Sequence, residues 1–421
     1  MKLTLRNIGK IISADLDISG ITIIAGENNT GKSTIGKALY SAFNGVSELS
    51  SKIINDRIET ISRMLRNMIR ENGRFFMRDE GAVFHEYALK IYENYHQTEE
   101  VNPDFIDDLL KDLLSNKKFV LFDSENNVDE ESISEYRNQI IERLKINEIS
   151  IQNQILLNSF QREFGTQIST INSKEESLVS LEISNNIRDI YFEKNRPVVN
   201  KRLSDLRLNS VYIDNPFVLD ENHNFFPKNF NHQYDLQKLL FSSEKINASE
   251  EVLLDEKFSK ISYIFENIRV GNLVNLDKQT SYHEGDVDYD LNNVSLGLKT
   301  FIILKTLIEK GIIGEKGTII LDEPEIHLHP QWQVNFAELI VLLQKVFNLH
   351  ILLTTHSPYF LEAIEVYSQV HGISQNCNYY LNEKVDGKII VQRVNDSLSK
   401  VYNKFFTPFQ ELENLRSDLD D

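Results

Sequence analysis

The chain opens with apolar residues at alternate positions. In "KLTLRN" and "ADLDIS" the period is two, which predicts short half-buried strands. "GITIIAG" is a continuous apolar run into a glycine, the pattern of a buried strand. The period then turns helical in "STIGKALYSAFNG", which also closes on glycine. From about Ser47 to Phe164 glycine and proline are scarce, and apolar residues recur at helical spacing in "IINDRIETISRMLRNMI" and "EYRNQIIERLKINEISIQNQILLNSF". Within that block "NPDFIDDLLKDLLSNKK" starts a helix, with Asn102 as N-cap and Pro103 in the first turn. Strands return from about Ser177 in "SLVSLEIS", "RDIYFEK" and "NSVYID", and the final third alternates helix and strand. The pattern predicts an α/β fold with a mixed sheet, its parts at 1–46 and 165–421 split by a mostly helical insertion at 47–164.

Composition narrows the class. At 421 residues, 41% hydrophobic and 26% charged, the chain reads as soluble and globular, with room for an insertion in one domain. No apolar run approaches a membrane span, and "MKLTLRNIGK" lacks the apolar core of a signal peptide. The expectation is a cytoplasmic protein without a membrane partner. A single cysteine, Cys377, excludes an internal disulfide and a cysteine-rich zinc module. A net charge of −18 excludes a general nucleic-acid coat, so contact with DNA or RNA requires a local basic patch.

Four segments carry chemistry. In "GENNTGKST", Gly26, Gly31, Lys32 and Ser33 fit G-x-x-x-x-G-K-[ST] between a strand and a helix. Glu27, Asn28, Asn29 and Thr30 form the loop and Thr34 continues into the helix, so backbone N–H groups can curl round a β-phosphate. Lys32 reaches the β/γ oxygens and the Ser33 hydroxyl ligates Mg²⁺. "GTIILDEP" is an apolar strand ending in Asp322 and Glu323. Such a strand is expected beside the P-loop strand, with Asp322 holding Mg²⁺ through water and Glu323 polarising the attacking water as general base.

His327 and His329 follow at once in "LDEPEIHLHP" and raise the question of zinc. Zinc needs at least three ligands, and helical histidine pairs bind it at i, i+4; these lie at i, i+2 before a helix starting at Pro330. They read as loop histidines. That helix, "PQWQVNFAELIVLLQKVF", has Trp332, Phe336, Leu339, Leu343 and Phe347 on its apolar face. In "ILLTTHSPYFLEAIE", His356 sits at a strand end where it can meet a γ-phosphate, before Ser357 and Pro358 cap a helix. In "NNVSLGLKTFIILKTLIEKG", Ser295 and Gly297 start a helix whose free N–H groups can hold a second phosphate; alone they fit an N-cap and a packing glycine equally.

Together these segments resemble the ATP-binding-cassette ATPases of the SMC, RecF and OLD-like branch. "GENNTGKST" matches its Walker A motif, "SLGLK" a degenerate signature, "IILDEPEIHLHP" Walker B with the D-loop, and "TTHSP" the switch histidine. The resemblance covers about 1–45 and 165–395. It implies an ABC-type ATPase head that binds ATP and Mg²⁺. Ser295 and Gly297 of a second copy would close on the γ-phosphate, giving a homodimer or higher homo-oligomer with slow, regulatory hydrolysis. Leu296 and Leu298 depart from the transporter signature, so only Ser295 and Gly297 carry over. Gln167, in "FQREFGTQIS", stands where the family has a glutamine contacting nucleotide and Mg²⁺; it also fits a surface polar residue.

With sixty-odd residues after His356, the expectation is that the chain lacks the nuclease domain of OLD proteins; "CNYYLNEKVDGKIIVQRVN" among them reads as a hairpin with an Asp-Gly turn. The pattern resembles stand-alone ATPase subunits of bacterial phage-defence systems such as Septu, which control a separately encoded effector nuclease. The alternative is a DNA-repair or recombination ATPase acting directly on DNA. Arg63, Arg66, Arg70 and Arg74 fall on one helical face, which is either solvated or meets nucleic-acid phosphate or an acidic partner. "KNRPVVNKRLSDLR" is similarly open, and "ELENLRSDLDD" reads as a solvated end.

Overall fold

A computed structural model describes all residues except 73, 77–80, 99, 117–118, 122–129, 172, 174, 207, 209, 221–230, 243–245, 277–278, 386 and 421. The chain forms two compact units: Met1–Ser47 with Leu156–Val199 and Leu206–Asp421, and Glu48–Ile155 with Asn200–Asp205. The first unit begins with β1 (Lys2–Ile8), β2 (Ile11–Asp17), β3 (Ile21–Gly26) and α1 (Lys32–Val46). The second contains α2 (Leu49–Glu71), β4 (Arg74–Phe76), α3 (Gly81–Thr98), α4 (Pro103–Ser115), β5 (Phe119–Leu121) and α5 (Glu130–Leu144). The next helix, α6 (Glu148–Phe164), passes into the first unit at Leu156.

The first unit resumes with β6 (Ser177–Ile183), β7 (Asn186–Glu193), β8 (Arg196–Pro197), β9 (Ser210–Ile213) and α7 (His232–Phe241). Then come α8 (Ala248–Phe258), α9 (Ser262–Ile268) and a small sheet of β10 (Asn272–Leu276), β11 (Gln279–Glu284) and β12 (Val287–Asp290). It ends with α10 (Leu296–Glu309), β13 (Thr318–Asp322), α11 (Pro330–Phe347), β14 (His350–Thr355), α12 (Pro358–Val370), β15 (Cys377–Val385), β16 (Lys388–Arg393) and α13 (Ser399–Asp420). The turn residue Asp386 of the β15–β16 hairpin lies outside the described residues.

Among the described residues the main sheet has 11 strands in the order β8-β7-β6-β1-β2-β16-β15-β3-β14-β13-β9. The run β15-β3-β14-β13-β9 is parallel, while β1, β2, β6, β7 and β8 pair antiparallel. The strand ending in Asp322 is therefore not the neighbour of the P-loop strand, contrary to the sequence-based expectation. β14 lies between them, pairing Thr354 with Ile24 on one side and with Asp322 on the other. β13 and β14 are both apolar and buried, as interior strands of a parallel block covered on both faces must be, so burial alone does not set their order.

Helices cover the parallel block. Phe336, Leu339, Leu343 and Phe347 of α11 are buried and Trp332 packs on the same core, with Phe301 of α10 edge-on to Phe336 at 5.2 Å. The second unit has its own core, in which Leu65 and Met68 of α2 meet Phe84, Leu110 and Ile140.

The arginine stripe differs from its expected form. α2 ends at Glu71, where the Asn72 side chain donates back to the Met68 carbonyl at 2.9 Å, and Arg74 falls in β4. Arg66 is half-buried, its guanidinium 5.7 Å from the Phe84 ring centre, which leaves Arg63 and Arg70 exposed.

Helix α1 lies close against the sheet because Gly36 has no side chain. A Cβ there would stand 3.1 Å from Ile320 Cγ2 and 3.2 Å from the Tyr212 hydroxyl. Gly36→Val should cost on the order of 1–3 kcal/mol through overpacking, lowering the urea midpoint with an unchanged m value.

Candidate nucleotide-binding site

The P-loop geometry follows from its glycines. Gly26 (φ 157), Asn29 (φ 66) and Gly31 (φ 79) adopt positive φ, which folds the loop back on itself. Gly31 is the N-cap of α1 and supplies no side-chain acceptor; the Thr34 N–H turns back to the Gly31 carbonyl at 3.1 Å, which leaves the Lys32 and Ser33 N–H groups of this 15-residue helix open to an anion. Thr30 donates to the Glu27 carbonyl at 2.7 Å and stiffens the loop, while Glu27, Asn28 and Asn29 are exposed. Lys32 is buried, and its Nζ meets the carbonyls of Gly26 and Glu27 at 2.9 and 3.0 Å and Glu323 Oε1 at 3.0 Å. Ser33 is exposed beside it.

The ends of β13 and β14 supply the rest. Asp322 accepts from Thr354 on one carboxylate oxygen and from the Tyr212 hydroxyl, at 3.1 Å, on the other. Glu323 leaves the strand with φ 49, anchored by its N–H to Thr354 Oγ1 at 3.0 Å. A non-glycine residue in that region stores strain that the surroundings must hold. His356 Nδ1 lies 3.6 Å from Glu323 Oε1 and 3.8 Å from Glu325 Oε1. Its pairing with the Glu323 carboxylate raises the His356 pKa, and the same pairing, aided by Lys32, holds the Glu323 carboxyl down at about 2 against burial.

A cavity of about 720 Å³ covers the loop and is lined by five lysines against two glutamates. Lys10, Lys37, Lys384 and Lys388 join Lys32, so the wall favours a polyanion. Ser33, Thr34, Gln167 and Glu323 line it too. The donors fit a nucleoside triphosphate with Mg²⁺: open helix N–H groups for phosphate, and for a hard cation the exposed Ser33 hydroxyl together with the Asp322 carboxylate that two hydroxyls orient.

Ser295 and Gly297 are not brought to this wall. Ser295 is exposed as the N-cap of α10, its Oγ accepting from Leu298 N at 3.4 Å. Gly297 is buried, where a Cβ would stand 2.9 Å from the His327 carbonyl. The histidines that raise the question of zinc have other contacts. His329 Nδ1 accepts from Gln331 N at 3.4 Å as the N-cap of α11, and the His327 ring lies edge-on to Phe217 at 6.2 Å.

A family model described as AAA_15, AAA ATPase domain, matches residues 1–361. The chain belongs to this family of ATPase domains. Among curated proteins this ATPase is similar to the OLD nuclease of Thermus scotoductus, 25% identical over 32% of this chain and 28% of that one. It is also similar to the Septu protein PtuA of Bacillus thuringiensis, 34% identical over 16% of this chain and 17% of that one. The aligned part thus spans well under a third of either relative. Among solved structures, the SMC head domain from Thermotoga maritima matches with TM-score 0.38 and 13% identity, covering 94% of this chain and 98% of that one.

Sequence reasoning missed the support behind Asp322. Tyr212, on β9, is buried and stacks on His232 at 4.1 Å. His232 opens α7 with its N–H on Glu163 Oε1 at 2.8 Å, its Nδ1 2.6 Å from Glu163 Oε2 and its Nε2 2.9 Å from Asp214 Oδ2. Glu163 also lines the cavity, so the network runs from its wall to Asp322. Burial alone would discharge His232, but the bonds to Asp214 and Glu163 overcome it and raise its pKa to about 9. Its contribution to stability is thus complete below about pH 6.5 and is lost as pH rises through about 9. His232→Asn should therefore flatten the fall of the urea midpoint across that window; an unchanged slope would show that the imidazole is neutral in the folded protein.

Proposed function

We propose that this protein binds and hydrolyses ATP with Mg²⁺, pairs with a second copy around the nucleotide, and controls a separately encoded effector nuclease in bacterial anti-phage defence. The convergence of Lys32, Asp322, Glu323 and His356 at the ends of three neighbouring parallel strands carries the ATPase part of this reading. Ligands of open α/β sheets bind at that edge.

In this mechanism the α1 N-terminus and Lys32 bind the β- and γ-phosphates, with Gln167 and the outer lysines on the flanks. Ser33 and Asp322 would hold Mg²⁺, which would supply positive charge against the phosphate oxygens. Tyr212 and Thr354 fix the Asp322 carboxylate. Glu323, ionised at neutral pH, orients the attacking water. While it is paired with Lys32 and His356 it is a weak base; once phosphate takes over Lys32, its basicity rises toward what proton abstraction needs. His356 donates toward the γ-phosphate.

Ser295, exposed at the open end of α10 and away from the chain's own cavity, fits the role of closing the second copy's site. Similarity to the Septu protein PtuA and to the Retron Ec83 probable ATPase of Escherichia coli supports the defence role.

Glu323→Gln should bind ATP and slow hydrolysis by about 10²–10⁴-fold. Light scattering on this variant should show a larger species only with ATP·Mg²⁺. Normal turnover would remove Glu323 as the base, and a monomer in all conditions would remove Ser295 and Gly297 from the site. Salt-sensitive duplex DNA binding lost in Arg63→Glu/Arg70→Glu would favour direct action on DNA instead.

A further inference from the structure

The helical unit carries a second cavity, of about 420 Å³, within the ~300–1,000 Å³ range of small-molecule sites. Its floor is Arg57, which is 6% exposed. The guanidinium donates through Nη1 to the Leu144 carbonyl and through Nη2 to the Ile146 carbonyl at 2.8 Å, both at the C-terminal end of α5. Nε has no partner, and among the described residues no carboxylate lies within ion-pair distance of Arg57. A buried cation held only by peptide dipoles leaves an uncompensated positive potential.

The rim adds to it. Lys145 is exposed and makes no ion pair among the described residues, and Arg202 comes from the basic stretch "KNRPVVNKRLSDLR". The facing carboxylate, Glu148, is 4.0 Å from Arg202 Nε with both groups well solvated, so it offsets little. The N-terminus of the 17-residue helix α6 borders the same cavity at Asn147 and Ile149; Asn147 Oδ1 caps the Ile149 N–H at 2.7 Å, so the helix end adds its positive dipole field rather than open donors. The remaining wall is aromatic. Tyr92 is buried and Tyr95 half-buried, with Arg57 Cζ 6.0 Å from the Tyr95 ring centre. Phosphate on the cations and a base against the tyrosines uses every one of these features; an inorganic anion would leave the aromatic wall without a role.

We propose that this pocket binds a phosphate-bearing nucleotide unit, either a free nucleotide or the end of a single nucleic-acid strand, separately from the ATP site. The proposal does not rest on the ATPase reading, since it uses no residue of that site.

The test titrates the full-length protein with a labelled, 5′-phosphorylated single-stranded oligonucleotide and, in a second arm, with nucleoside monophosphates and inorganic phosphate. Lys145→Glu lies on the exposed rim and Tyr95→Ala removes the stacking face; Arg57 is left intact because it holds the end of α5. Both variants should keep wild-type circular dichroism and ATP hydrolysis. Each should weaken oligonucleotide binding at least about 5-fold, with a shallower salt dependence for Lys145→Glu. If nucleoside monophosphates bind as tightly as the oligonucleotide and displace it, the ligand is a free nucleotide; if they do not compete, it is a strand end. Binding of neither probe, or binding unchanged in both folded variants, or binding lost only in Arg63→Glu/Arg70→Glu, would overturn the proposal.

Discussion

A buried ammonium organises the first unit. Lys32 is 4% exposed, and a cation in that position has to be met by oxygen atoms. Two come from the P-loop backbone, so Gly26 and Glu27 must point their carbonyls inward and the loop must turn through positive φ. The third comes from Glu323, two strands away. To reach it, Glu323 takes a backbone conformation unfavourable for its side chain, and Thr354, on the strand between, holds it there. One charge thereby fixes the P-loop, the end of β13 and the end of β14 relative to one another.

Much of this was legible because local chemistry announces itself. The glycine loop before a helix, the Asp-Glu pair after an apolar strand and the proline-started helices each need particular residues at particular spacings, and the structure places each on its expected element. Strand order was not legible. An apolar strand reads the same whether it lies beside the P-loop strand or one further out, because both places are buried on both faces. The Tyr212–His232–Glu163 support was invisible for a related reason. Isolated polar and aromatic residues in different segments carry no periodic signal, and their meaning comes from long-range contact. Arg74 was misplaced because helical spacing says nothing of where Asn72 turns its side chain back and stops the helix.

The carboxylates of the site divide into two kinds by environment. Asp322 has both oxygens occupied by protein hydroxyls, so it is fixed before any ligand arrives. Glu323 is held by charges that a phosphate ligand would compete for. Glu325, 2% exposed, has its pKa raised by burial; it accepts from the Thr355 hydroxyl and from the His356 backbone at 3.1 Å, while its other oxygen has no partner. Such a group sets backbone position and is badly placed for proton transfer to solvent. Of the two glutamates in "DEPE", the first suits chemistry and the second suits holding the histidine loop in place.

That loop also explains why the start of α10 and the turn after β13 belong to one mechanical element within the chain. Gly297 packs so tightly on the His327 carbonyl, Leu328 and Trp332 that even a methyl group would displace the loop. Leu328 N in turn bonds the Glu325 carbonyl at 2.9 Å, and the Gln333 side chain reaches both the Leu328 carbonyl at 3.1 Å and Ser357 Oγ at 2.8 Å. The start of α10, the turn after β13 and the start of α12 thus share one set of close contacts. On the proposed reading, Ser295 serves the partner's nucleotide while Glu323 and His356 serve the chain's own. A shift at one is then felt at the other through packed backbone rather than through a flexible hinge, because close-packed interfaces transmit displacement instead of absorbing it.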